Sequence, residues 1–149
     1  MNENVVIKRG TEIELDIESL AYGGKGVAKA NNFVIFVKNA IPGQKVLARI
    51  YKKRKGYAEA SIKEILEESK HAEKVQCNHY YICSKLQSLS YNQQIIEKAN
   101  QVEDTFRRLG GFSKFSLDEK IPSKQIFNYR NKMEFTFSPH RWVLDHEPM

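Results

Sequence analysis

Residues 11–20, TEIELDIESL, decide how the first part of this chain folds. Ile13, Leu15 and Ile17 alternate with acidic residues, so one side of the segment is apolar and the other is charged. A period of two is the pattern of a β-strand with one buried face. The segment therefore predicts a half-buried strand that packs against a core.

The segments that follow continue the β pattern as far as residue 66. FVIFVK, residues 33–38, is a nearly continuous apolar run and predicts a strand buried on both faces, while QKVLARIY and YAEASIKEIL resemble half-buried strands. Glycines at 23, 24 and 26 and the Pro42-Gly43 pair supply turns between them. We expect five strands without an intervening helix, and hence a small OB-like antiparallel barrel over residues 1–66.

Positive charge is concentrated in this barrel segment. Residues 1–66 hold 12 Lys and Arg against 7 Asp and Glu, a net charge of +5, whereas residues 67–149 hold 12 against 11, a net charge of +1. A localised basic surface indicates a polyanionic partner, and nucleic acid is favoured over a membrane because no basic amphipathic helix accompanies it. The alternative is that the charge serves only solubility.

The stretch 51–57, YKKRKGY, is the strongest candidate for that contact. Four consecutive cations at a hairpin tip must be solvated, and tyrosines on both sides could stack on bases. The alternative is a solvated turn whose tyrosines pack on the barrel. The candidate RNA-binding residues here are Tyr51, Lys52, Lys53, Arg54, Lys55 and Tyr57. Lys25, Lys29 and Arg49 could extend the patch. Lys25 lies within YGGKGVA, a glycine-rich corner that lacks the P-loop pattern, and Lys29 follows it directly.

From residue 67 the composition changes to that of an α+β segment. SYNQQIIEKANQVEDTFRRLGG predicts a helix with Ser90 as N-cap, Gln93 in a capping box, and two glycines at its end. Its apolar stripe predicts packing on a core and consists of Ile95, Ala99, Val102, Phe106 and Leu109. Residues 131–138 predict a strand, which has no partner strand left in the chain.

Both cysteines of the chain lie in residues 76–86, QCNHYYICSKL. In a reducing cytosol, close thiols indicate metal or redox chemistry before a structural disulfide. Cys77, Cys83, His79 and His71 would make a Cys2His2 zinc site by count, but the spacing C-x-H-x3-C matches no common zinc framework.

The order of these features resembles the N-terminal part of the 23S-type rRNA uracil-C5 methyltransferases. The resemblance rests on the basic barrel, the cysteine loop, the helix opening LSYNQ and the stretch YRNKMEF, and runs from about residue 8 to Ser138. It implies that residues 1–66 are a TRAM domain that binds RNA, that residues 67–149 are an incomplete central segment, and that Arg130 and Lys132 contact RNA. It also implies methyl transfer from S-adenosylmethionine to carbon 5 of a uridine, by a cysteine nucleophile and a base that lie beyond this chain.

The sequence departs from that family at the cysteine loop. Members with an iron–sulfur cluster have C-x5-C-G-G-C and a distant fourth cysteine, whereas Ser84-Lys85-Leu86 follows Cys83 here and no later cysteine occurs. A cubane cluster needs four thiolates or close substitutes. We therefore expect a degenerate loop without metal, no iron–sulfur cluster and no S-adenosylmethionine site in this chain.

Two functions of different class remain open. The chain is either the RNA-recognition part of an rRNA uracil methyltransferase, inactive by itself, or a stand-alone RNA-binding protein that is not an enzyme. No signal peptide or membrane span is predicted, so the expected location is the cytoplasm. The identity of the RNA, the uridine and the oligomeric state are not encoded in recognisable motifs, and the chain end after Ser138 fits either a truncation or a change of reading frame.

Overall fold

The computed structural model describes residues 6–80 and 84–141. Within them the chain forms six β-strands and a single long helix, which confirms the predicted mainly β fold with a small barrel. The elements are β1 Glu12–Asp16, β2 Ser19–Leu20, β3 Gly26–Ala30, β4 Phe33–Lys38, β5 Lys45–Lys53, β6 Tyr57–Glu67 and α1 Tyr91–Arg108. The predicted boundary after residue 66 falls at the end of β6, and the division into two domains stays a prediction.

The sheet closes into a barrel at the junction of β1 and β2. The strands are hydrogen-bonded in the order β1-β5-β6-β4-β3-β2, with only the β4–β6 pair parallel. The N–H of Ile17 donates to the carbonyl of Gln44 at 2.9 Å, and the N–H of Glu18 donates to the carbonyl of Val27 at 2.8 Å. Ile17 thus continues the pairing of β1 with β5, while Glu18 begins the pairing of β2 with β3. We therefore treat β1 and β2 as one bent strand that closes the barrel, which then has the five strands expected.

The barrel core is built from the inward side chains of every strand. Ile13, Leu15 and Ile17 are 8%, 3% and 3% exposed, as their alternation predicts. On the inner face of β4, Ile35 and Val37 are fully buried and the half-buried Phe33 packs on the same core. On its outer face, Val34 and Phe36 are only half-buried. The prediction that β4 is buried on both faces is therefore wrong, because a barrel wall has one inner face and the outer face of β4 borders an open groove.

Helix α1 has the predicted position and the predicted N-cap residue, but it lacks the predicted capping box. Ser90 occupies the N-cap without a side-chain capping bond. The Gln93 amide, expected in a capping box, instead donates to the Glu97 carboxylate at 3.0 Å. The Gln94 amide donates to the carbonyl of Leu89 at 2.8 Å, which ties the helix to the segment before it.

The helix contacts the barrel through polar side chains more than through its apolar stripe. Glu97 and Ala99 are buried, whereas Val102 is 41% exposed and Leu109 is 86% exposed. The Glu97 carboxylate accepts the N–H of Leu20 at 3.3 Å, and the Gln101 amide donates to the Leu20 carbonyl at 3.1 Å. Of the predicted stripe, only Ala99 is buried, because the helix is held on β2 by these backbone bonds.

The described residues beyond the helix, 110–141, contain no strand or helix. The strand predicted at 131–138 is wrong: these residues are exposed and no neighbouring strand supplies ladder bonds. Phe106 and Phe115 stack at 4.3 Å and hold the start of this segment against the helix end. No helix in the part of the chain that the structure describes is long and apolar enough to cross a bilayer.

Candidate nucleic-acid interface

The tip of the β5–β6 hairpin presents three exposed cations. The N–H of Arg54 donates to the Tyr57 carbonyl at 2.8 Å and closes the turn. Lys53, Arg54 and Lys55 are all exposed, and no described carboxylate lies within ion-pair distance of them. These three positive charges are therefore available to an anionic ligand, as the sequence predicts for the tip.

Lys52 and Tyr51 are placed differently, because both bind the buried carboxylate of Glu59. Lys52 Nζ lies 2.8 Å from Glu59 Oε1, and the Tyr51 hydroxyl donates to Glu59 Oε2 at 2.9 Å. Lys25 Nζ, from the glycine-rich corner, lies 2.6 Å from the same Oε2. Glu59 is 8% exposed, and this Glu59 cluster ties β5, β6 and the β2–β3 turn together.

The cluster changes the ionisation of its members. Hydrogen bonds from Lys25, then Lys52 and Tyr51, lower the pKa of Glu59 to about 2. Burial and the bond to the Glu59 carboxylate raise the pKa of Tyr51 to about 12. At neutral pH the carboxylate is charged and offsets one of the two ammonium charges, so Lys25 and Lys52 together contribute a net charge of +1 rather than +2.

Tyr57 lies on the outer face of the barrel beside a second aromatic ring. Its ring meets that of Phe36 edge to face, with centroids 5.6 Å apart and planes at 72°. Val34 is the register partner of Tyr57, and Val27 is that of Phe36. These four half-buried residues of β3, β4 and β6, called here the aromatic face, form an apolar surface directly behind the basic tip.

A basic pocket of about 570 Å³ lies at the other end of this outer surface. Its walls include Lys25, Lys38 and Lys85, together with Tyr51 and the Gly23-Gly24 corner. Both glycines have positive φ, 88° and 82°, which allows the tight turn. Sequence reasoning missed Lys38 and Lys85, because only the fold brings residue 85 beside residue 24.

The remaining predicted RNA-binding residues are dispersed. Lys29 pairs with Glu18 at 3.5 Å, and Arg49 is exposed on β5. Lys132 lies 3.4 Å from Glu134, and among the described residues no hydrogen bond or ion pair joins Arg130 or Lys132 to the barrel. The structure therefore does not bring these last two residues into the candidate interface.

The cysteine loop does not assemble a metal centre from the residues described. Cys77 is exposed, and its Sγ accepts the N–H of His79 at 3.3 Å; Cys83 lies outside the described residues. Within residues 6–80 and 84–141 no group of three or more His, Cys, Asp or Glu could hold a metal. Leu86, which follows Cys83 by three residues, packs against Leu20 and Leu89. Leu86 therefore contributes to packing, and the absence of an iron–sulfur cluster stays a prediction.

Comparison with known proteins identifies the barrel. Residues 7–63 match the TRAM domain. A protein of Bacteroides thetaiotaomicron named "uncharacterized RNA methyltransferase" is 40% identical over 130 residues, which cover 86% of this chain and 29% of that protein. Proteins of the same name from Aquifex aeolicus and Listeria monocytogenes are 32% and 37% identical, over 87% and 89% of this chain and 31% and 29% of their own length.

This chain thus spans about 30% of the length of the relatives it matches. The solution structure of a conserved protein from Methanococcus maripaludis is similar at 33% identity, with a TM-score of 0.38 over 41% of this chain and 87% of that one. The sequence matches confirm the resemblance at the level of RNA methyltransferases. The chain carries a TRAM domain at residues 7–63 and is related over most of its length to proteins named RNA methyltransferases.

Proposed function

We propose that this chain is the RNA-recognition part of an S-adenosylmethionine-dependent methyltransferase that modifies carbon 5 of a uridine in ribosomal RNA. The observation that carries the proposal is the exposed tip of Lys53, Arg54 and Lys55 beside Tyr57, within a TRAM domain. Unpaired cations next to an aromatic surface combine phosphate attraction with base stacking. The names of the relatives support the methyltransferase assignment.

We expect that this chain does not bind the methyl donor. Donor and nucleotide sites of doubly wound proteins lie where a parallel strand passes through a glycine-rich turn into a helix. Here the Gly23-Gly24 corner joins two antiparallel strands, β2 and β3, so it leads into a strand and not into a helix. We therefore propose that the role of this chain is to bind RNA in the cytoplasm.

The experiment that tests this function is a salt titration of binding to an rRNA stem-loop. If the three tip cations each contact a phosphate on a single strand, replacing Lys53, Arg54 and Lys55 by alanine reduces the log–log salt slope by about 2. A matched variant with the exposed Lys114, Lys120 and Lys124 replaced by alanine removes the same charge elsewhere. The proposal fails if both triple variants, shown to be folded, bind as the unaltered chain does, or if that chain does not bind RNA.

The run of four cations that the sequence predicts at the tip includes Lys52. Because Lys52 holds the Glu59 carboxylate, its replacement alters the barrel as well as the charge. The triple variant therefore separates RNA contact from folding more cleanly than a quadruple variant.

A further inference from the structure

A groove of about 1450 Å³ separates helix α1 from the aromatic face of the barrel. One wall is the aromatic face, including Phe36 and Tyr57, and the other consists of Val102 and Phe106 of the helix, both 41% exposed. The groove meets the basic pocket at the Gly23-Gly24 corner, because both glycines and Lys85 line the two cavities together.

Charge distinguishes this groove from a purely apolar face. Its cations include Lys29 and Arg108, which are neutralised by Glu18 at 3.5 Å and Asp104 at 2.7 Å. Lys85 and Lys98 also line the groove, and no described carboxylate lies within ion-pair distance of either. The walls of the groove are therefore apolar, and its lining has a net positive charge because Lys85 and Lys98 are not neutralised by a described carboxylate.

We propose that an unpaired stretch of RNA crosses the Gly23-Gly24 corner, with one base in this groove against Tyr57 and Phe36 and with phosphates on Lys85 and Lys98. The inference rests on the proposed function and extends it from the hairpin tip to a base-binding slot that helix α1 completes. An aromatic slot rimmed by cations suits a nucleotide because every base has a stacking face and every nucleotide carries a phosphate.

The slot makes helix α1 part of the RNA site. In the barrel alone the aromatic face would be an open surface. Here Val102 of the helix lies across the groove from it, so a base would be enclosed between two walls. Recognition then depends on the segment after residue 67 as well as on the TRAM domain.

Photo-crosslinking of the full chain to a short oligouridylate containing one 4-thiouridine tests the slot directly. Crosslinked peptides should contain Tyr57, Phe36 or Phe106 in addition to the tip. Val102→Glu places a negative charge in the groove at an exposed helix position and should weaken binding by about tenfold or more, the range of a lost stacked base. Lys85→Ala should reduce the salt slope by about 0.7, or affinity by about fivefold at 0.1 M salt.

Lys70→Ala, at an exposed position after β6, is the matched control for Lys85→Ala and should leave both quantities unchanged. If the oligouridylate binds through the tip but crosslinks only to residues 53–55, and Val102→Glu and Lys85→Ala bind normally, the slot is disproved while the proposed function stands. If the unaltered chain does not bind the oligouridylate or the stem-loop, the proposed function fails and the slot with it.

Discussion

The ammonium group of Lys25 lies 2.6 Å from the carboxylate of Glu59, although 34 residues separate them in the chain. The contact links the glycine-rich corner to the beginning of β6 on the outer surface of the barrel. Lys52 and Tyr51 complete the cluster from β5, so three side chains from two segments share the buried carboxylate of Glu59.

Glu59→Gln should lower the free energy of unfolding by about 1.5–3 kcal/mol at neutral pH, because it replaces hydrogen bonds to a charged group. The pKa of Glu59 is lowered from 4.5 to about 2 in the folded chain, so its contribution is complete above pH 4.5 and is lost as the pH falls towards 2. Urea unfolding between these pH values should show a shallower pH dependence for Glu59→Gln. Equal slopes for the variant and the unaltered chain would contradict the cluster.

Gly26→Ala should destabilise the barrel by about 1–3 kcal/mol through overpacking. A Cβ at residue 26 would lie 2.8 Å from the Ala40 Cβ and 2.9 Å from the Ile17 Cγ2, beside the point where the first strand changes partner. Gly56→Ala is the control, since a Cβ at that hairpin position meets nothing within 4 Å. Thermal unfolding of both variants measures the difference, and equal midpoints would show that the close approach at Gly26 is unimportant.

Gln101→Ala should lower stability by about 1 kcal/mol, because the Leu20 carbonyl loses its side-chain donor from helix α1. Amide hydrogen exchange within the helix should accelerate while exchange in β5 stays unchanged. Asn100→Ala, at the exposed neighbouring position, serves as the control. Uniform acceleration across the barrel would mean that the helix is not held separately through Leu20.

Amides of residues 112–141 should exchange faster than those of β5 and β6. The barrel amides lie in ladders around a buried core, whereas this later segment has no ladder and is mostly exposed. Hydrogen exchange read by mass spectrometry separates the two regions. Equal protection in a proven monomer would indicate an ordered packing of the later segment that these contacts do not provide.

Anaerobic reconstitution with iron and sulfide should yield no cubane cluster. The chain has two cysteines, and Leu86 occupies a position that packs against Leu20 instead of offering a ligand. Iron analysis and visible absorbance provide the measurement. About four irons per chain with a cluster absorbance band would overturn the expectation.

The local patterns of the sequence were sufficient for the barrel and the helix. The alternation of Ile13, Leu15 and Ile17 reports burial directly, because side chains on a strand point to opposite faces in turn. The strand expected at 131–138 is absent for a nonlocal reason. Alternating apolar residues form a strand only where a neighbouring strand supplies hydrogen bonds to their backbone.

The candidate site was only partly predictable for the same reason. The tip residues Lys53 to Lys55 are adjacent in sequence, and their exposure follows from the turn itself. The capture of Lys52 by Glu59, and the arrival of Lys85 at the Gly24 corner, depend on contacts between distant segments. No periodicity or composition reports such contacts.

The bonds from Glu97 and Gln101 to Leu20 have a consequence for how the protein behaves at high concentration. An exposed strand normally invites a strand of another molecule to add to the sheet, which is a common start of aggregation. At Leu20 both the N–H and the C=O are already bound by helix side chains, at 3.3 Å and 3.1 Å. The helix thus shields this position from intermolecular strand addition, so its release would expose a site for self-association.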